Sequence, residues 1–101
     1  MDNAVGPVLR MCDGVEGVIR AIEEDNPGVP LEVIDRGAYV RVQASGFLRV
    51  KRASIERNIG YAFEMRQLES MLSAFAGRIS FTTDEMSWQH RGAPGPGPGS
   101  T

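Results

Sequence analysis

The chain has 101 residues, with 11 Lys plus Arg against 13 Asp plus Glu and a formal net charge of −2. That length suits one small domain, and 42% hydrophobic with 24% charged residues is a globular balance rather than a disordered one. A single Cys (Cys12) and a single His (His90) exclude a Cys/His zinc site, a disulfide framework and, unless His90 serves in it, a hydrolytic triad of the usual kind.

Val5 to Met11 reads as a strand, with Pro7 restricting it to a sheet edge or an irregular start. Asp13 is placed to cap a helix, with Glu16 three residues on in the reciprocal capping position. Val15, Val18, Ile19 and Ile22 follow at one-face helical spacing. Glu23, Glu24 and Asp25 crowd the far end, where acidic groups oppose the helix dipole, and Asn26-Pro27-Gly28 stops the helix.

Leu31 to Ile34 is a short β-prone run, and Asp35-Arg36-Gly37 turns the chain. Ala38 to Val42 alternates, with Ala38, Val40 and Val42 on one face and Tyr39 and Arg41 on the other. After Ser45-Gly46, Phe47 to Val50 alternates again, so a three-stranded antiparallel meander is expected.

Ala53 to Ile59 reads as a helix with no evident N-cap, and Gly60 stands just past its C-cap. Glu64 to Leu72 is a further short helix, with Met65, Leu68 and Leu72 on one side. Ser73 to Gly77 reads as a loop of small residues around one ring, Phe75, which either plugs the core or anchors a partner. Arg78 to Phe81 and Met86 to Gln89 form a terminal hairpin. The expected fold is α+β, in the order β-α-β-β-β-α-α-β-β, with an antiparallel sheet and three short helices.

Gly92 to Thr101 is a Gly-Pro repeat that neither donates a continuous ladder nor buries side chains. The expected division is therefore a folded domain over 1–90 and a disordered tail over 91–101. The start shows no signal-peptide pattern, no apolar run approaches a membrane span, and a lone Cys suits a reducing compartment, which together point to the cytoplasm.

Few constellations suggest chemistry. Tyr39, Arg41 and Gln43, followed by Phe47, Arg49 and Lys51, interleave aromatic and basic residues as single-strand nucleic-acid platforms do. Around Arg36 to Val42, however, the first aromatic of the RNA-recognition-motif core is missing and Val42 stands where the last should be, so a solvated sheet face, a protein contact or a second packing layer is favoured. The carboxylates do not converge by spacing, and Gly14-x-x-Gly17 lacks the residues of a phosphate loop. It reads as an aid to close packing or to fraying of the first turn. Cys12 reads as a buried structural thiol and His90 as a solvated terminal residue. No catalytic, metal or cofactor-binding residue is assigned.

Val5-Gly6-Pro7-Val8-Leu9-Arg10, Asp25-Asn26-Pro27-Gly28, Asp35 to Val42 and Ser73-Ala74-Phe75-Ala76-Gly77-Arg78-Ile79, in this order and spacing, resemble the coupling (effector) proteins of soluble bacterial di-iron multicomponent monooxygenases. The resemblance runs from about Val5 to Trp88. It is nearest to the toluene and alkene monooxygenase type, since the methane type carries a long N-terminal arm and four residues precede Val5 here. It implies an α+β, cofactor-free regulator, monomeric when free. Such a regulator docks on the hydroxylase above its di-iron centre, couples electron delivery to hydrocarbon oxidation and influences regioselectivity. It also implies that the segment Leu72, Ser73, Ala74, Phe75, Ala76 and Gly77 approaches the hydroxylase near the substrate route, with Ser73, Ala74 and Phe75 as first contacts. Neither nucleic acid nor membrane is an expected partner.

Overall fold

A computed structural model describes residues 3–90; the Gly-Pro tail expected at 91–101 lies outside the described residues. The chain runs β1 (Ala4–Arg10), α1 (Val15–Asp25), β2 (Glu32–Asp35), β3 (Tyr39–Ser45), β4 (Phe47–Lys51), α2 (Arg52–Ile59), α3 (Met65–Met71), β5 (Leu72–Ala76), β6 (Arg78–Phe81) and β7 (Glu85–Gln89). The α+β class and the expected order are borne out. One strand is added: β5 stands where the small residues suggest a loop.

The strands form two antiparallel sheets, ordered β2-β3-β1-β5 and β4-β7-β6. The expected meander is therefore interrupted. β2 and β3 form a hairpin, with Asp35 Oδ1 accepting the Gly37 N–H in the turn, but β4 leaves to pair with β7. The reason lies at Gly46. One residue is too few to reverse a strand into a hairpin, so the chain turns a corner into the second sheet instead. Gly46 joins the two sheets, donating its N–H to the Asn3 carbonyl and accepting the His90 N–H. Gly77 makes the matching corner between β5 and β6 at φ +92. A Cβ there would stand 2.7 Å from Val5 Cγ1 and 2.8 Å from the Gln89 carbonyl oxygen.

Pro7 does not place β1 at an edge. β1 pairs on both sides, with β3 and with β5. Its ladder to β3 skips Gly6 and Pro7, so the residue without an N–H sits where that ladder is interrupted. Gly6 fills the gap by close approach, since a Cβ would fall 2.0 Å from the Val42 carbonyl oxygen.

The core lies between the inner sheet faces and the helices. Val5, Leu9, Val40, Val42 and Ala44 come from the first sheet, Leu48, Val50, Met86 and Trp88 from the second, and Val18, Ile22, Ile55 and Leu68 from the helices. Gly17 lets α2 close onto α1, as a Cβ there would meet Ile59 Cγ2 at 2.4 Å. That agrees with the packing role read from Gly14-x-x-Gly17.

The expected capping box of α1 does not form. Gly14 in a left-handed conformation is the N-cap and no side chain caps the helix. At its other end the acidic run turns outward to neighbouring elements rather than opposing the dipole unrelieved. Asp25 accepts the Lys51 N–H and the Ser54 hydroxyl, both at 2.7 Å, and so ties α1 to the start of α2, where the Asp84 carbonyl accepts the Arg52 N–H. Buried Asn26 donates to the Ile22 and Arg49 carbonyls and accepts the Arg49 N–H, which ties α1 to β4. Glu24 pairs with Arg57 on α2. The Arg57 hydrogen bond, with Asn58 assisting, holds the Glu24 carboxyl below the ordinary carboxylate range. That exposed pairing stabilises at neutral pH and is lost as pH falls through the lowered value. Gly60 closes α2 as expected, donating to the Glu56 carbonyl.

The two corners make unequal demands. Nothing lies within 4 Å of a Cβ built at Gly46, so Gly46→Ala should cost only the left-handed backbone penalty, about 1–2 kcal/mol. Gly77→Ala adds overpacking against backbone and Val5 and should cost about 1–3 kcal/mol more. Urea unfolding midpoints of the two variants check this; equal losses would mean that the Gly77 corner is not tightly packed.

Candidate functional site

The segment singled out from the sequence begins where α3 ends. Glu64 and Gln67 form a capping box at the start of that helix, and Met65, Leu68 and Met71 bury its inner face. Leu72 then turns extended while its N–H still reaches the Glu69 carbonyl. The Arg10 guanidinium, at the end of β1, donates to the Ser70 carbonyl at 2.9 Å and fixes the junction between helix and strand.

Ser, Ala and Gly have little intrinsic preference for strands. Pairing with β1 overrides that preference: Gly6, Pro7 and Val8 lie opposite Ala76, Phe75 and Ala74, and Leu9 lies opposite Leu72. Ser73 is the residue left over, so β5 carries a bulge there. β5 is also an open edge of its sheet. A bulge on an edge strand bends it and discourages a further strand from pairing.

Residues directly opposite in an antiparallel pair share a face. Phe75 therefore lies on the side of buried Pro7, toward the space between the sheets, but at the rim rather than inside. It is 44% exposed, which removes the core-plug alternative. Across the Gly77 corner, β6 is the open edge of the second sheet, and its Phe81 is 45% exposed. The two edges enclose a groove of about 270 Å³ lined by Glu69, Leu72, Ser73, Ala74, Phe75, Ile79 and Phe81. Phe81 also lines a second open groove of about 460 Å³ with Arg52, Glu64, Met65, Arg66, Thr82 and Thr83.

Four of the six anticipated residues, Leu72, Ser73, Ala74 and Phe75, thus line one concave surface. Ala76 is half-buried opposite Gly6, and Gly77 is the corner. Glu69, Ile79 and Phe81 were not among the anticipated residues. The alternation of Ile79 and Phe81 places them on one face of a strand, but only the topology brings that strand beside β5.

The other sequence signals resolve differently. Tyr39, Arg41 and Gln43 belong to the first sheet and Phe47, Arg49 and Lys51 to the second, so no single platform forms; the Arg49 main chain is also engaged by Asn26. Cys12 is exposed rather than buried. His90 is half-buried and donates its N–H to Gly46 rather than standing in solvent. Among the described residues, no three His, Cys, Asp or Glu side chains gather to hold a metal, and no helix is long and apolar enough to cross a membrane.

The sequence profile of the MmoB/DmpM family matches residues 3–89, from the first described turn to the end of β7. The chain belongs to the MmoB/DmpM family. The resemblance read from the sequence is borne out at that level. This family member is 42% identical, over 90 residues and 89% of each chain, to the effector subunit of the alkene monooxygenase system of Xanthobacter autotrophicus strain Py2. Its fold matches a chain of the phenol hydroxylase–regulatory protein complex with a TM-score of 0.72 at 22% identity, covering 85% of this chain and 97% of that one. It also matches regulatory protein B of soluble methane monooxygenase with a TM-score of 0.67 at 21% identity, covering 90% of this chain and 67% of that one. At those identities the two structures establish a shared fold. The MmoB/DmpM fold here sets a bulged, exposed edge strand beside an aromatic groove.

The exposure of Phe75 separates it from the core. Phe75→Ala should change stability by about 1 kcal/mol or less, whereas Leu9→Ala, on the neighbouring β1, should cost about 2–5 kcal/mol. Chemical unfolding of both variants tests this; a large loss for Phe75→Ala would return that ring to a structural role.

Proposed function

We propose that this chain is the effector component of a soluble di-iron multicomponent monooxygenase: an accessory that binds the hydroxylase and tunes its oxygen chemistry, and that is not catalytic alone. The observation that carries this reading is the 42% identity, across 89% of both chains, to the alkene monooxygenase effector subunit. The geometry supports it. Two exposed aromatic rings, Phe75 and Phe81, share one concave surface, which suits an interface better than it suits water.

In this reading residues 1–90 are the functional unit, acting in the cytoplasm as a monomer with no cofactor of its own. β5, with Leu72, Ser73, Ala74, Phe75, Ala76 and the Gly77 corner, is the part that meets the hydroxylase. An accessory without reacting groups acts by binding one state of its partner more tightly than another. It stabilises the oxygen-competent hydroxylase only to the extent of that difference in affinity. Coupling of electron delivery to hydrocarbon oxidation, and any effect on regioselectivity, follow from which state is favoured. Exposed Phe75 is the natural anchor because a rigid ring buries a large area at little entropic cost.

Reconstitution with cognate hydroxylase, reductase and ferredoxin tests the role. Adding the chain should raise the product formed per NADH consumed. Phe75→Ala should weaken hydroxylase binding about tenfold or more, as truncation of an interface anchor does. Unchanged product per NADH on adding the wild-type chain would refute the effector role.

A further inference from the structure

The groove reaches beyond β5, and its rim carries an exposed carboxylate with no protein partner among the described residues. Phe75 on β5 and Phe81 on β6 are both nearly half exposed and line the same space. At its α3 side stands Glu69, whose carboxylate makes no ion pair or hydrogen bond among the described residues. The charges of the adjoining groove are already engaged: Arg66 with Glu64 and Arg52 with Asp84. Glu69 is thus the one uncommitted carboxylate set against the exposed apolar surface of this groove.

The shape limits what sits there. Both walls are open strand edges, yet β5 is bulged at Ser73 and β6 has only four residues. Neither offers the straight ladder that an added strand needs. A convex segment that inserts side chains suits the groove better than an extended one that pairs along an edge. This also disfavours a second copy joined edge to edge.

We infer that this groove seats a convex segment of the hydroxylase that places an apolar side chain against Phe75 and Phe81 and a lysine or arginine against Glu69. The inference rests on the effector reading and adds to it the seat, the second ring and the charge of the partner. The Glu69 contact sets register and on-rate more than bulk affinity, as a rim charge does, and it weakens with salt. The two rings carry most of the affinity.

Titrations of the cognate hydroxylase with the wild-type chain, Phe81→Ala, Glu69→Gln and Glu69→Lys at low and high salt test this, with unfolding midpoints measured alongside. Phe81→Ala and Glu69→Lys should each weaken binding about tenfold at low salt without lowering the midpoint. Glu69→Gln should bind with a smaller salt dependence than wild type. Should Phe81→Ala unfold early, the two exposed Glu69 variants still decide. Wild-type binding in all three variants, together with intact stimulation of product formation, would overturn the groove as the seat while leaving the effector role standing. Failure of the wild-type chain to bind or stimulate would remove the role itself. Self-association of the free chain that Phe81→Ala abolishes would replace the hydroxylase by a second copy and overturn the inference.

Discussion

At Gly77 the chain passes from one sheet to the other in a single residue, against the Val5 side chain and the Gln89 carbonyl, where no Cβ fits. Much of the molecule depends on that corner. It closes β5 and β6 onto the β1 and β7 strands that they flank. It also brings two open sheet edges together, so the residues beyond them, Phe75 and Phe81, share one groove. A hairpin at the same point would have stacked β5 and β6 in one sheet and dispersed that surface. Gly46 performs the parallel crossing from β3 to β4 and is held at both main-chain groups, by Asn3 and by His90.

The scaffold behind the groove is held by polar ties at the ends of elements as much as by the apolar core. Asn26 spans from α1 to β4, and Asp25 reaches across to start α2. A buried side-chain amide satisfied on both its oxygen and its nitrogen fixes geometry because each lost bond leaves a desolvated main-chain group behind. On the functional side, Arg10 links the end of β1 to the Ser70 carbonyl just before β5. The exposed strand is thus tied at three places: β1 pairs with it, Arg10 bonds just before its start, and the tightly packed Gly77 corner follows its end.

Local elements were legible in the residues wherever periodicity and punctuation agreed. The inner face of α1, its stop at Asn26-Pro27-Gly28, the Gly60 terminus of α2 and the β6–β7 hairpin all follow from short-range pattern. Two of the departures share a cause, which is long-range pairing. Ser73 to Ala76 has the composition of a loop and becomes a strand because β1 offers a partner. Pro7 argues for an edge or an irregular start, yet the ladder interrupted opposite Val42 admits it to a strand paired on both sides. The α1 cap departs for a local reason: Gly14 takes a left-handed conformation that a side-chain motif does not reveal. For the site, the position of Phe75 was legible and its surroundings were not. Glu69 and Phe81 enter only through the two-sheet topology.

The effector role proposed for this member of the MmoB/DmpM family sets its partner against a surface of exposed rings. The claim most open to direct test is that this partner is met at the β5–β6 edge. Hydrogen exchange of the chain, alone and with the cognate hydroxylase, measures it segment by segment. The account predicts new protection of amides from Glu69 to Phe81, strongest along the open edge of β5. Protection confined to the β2–β3 face or to α1, with β5 and β6 exchanging as in the free chain, would contradict it.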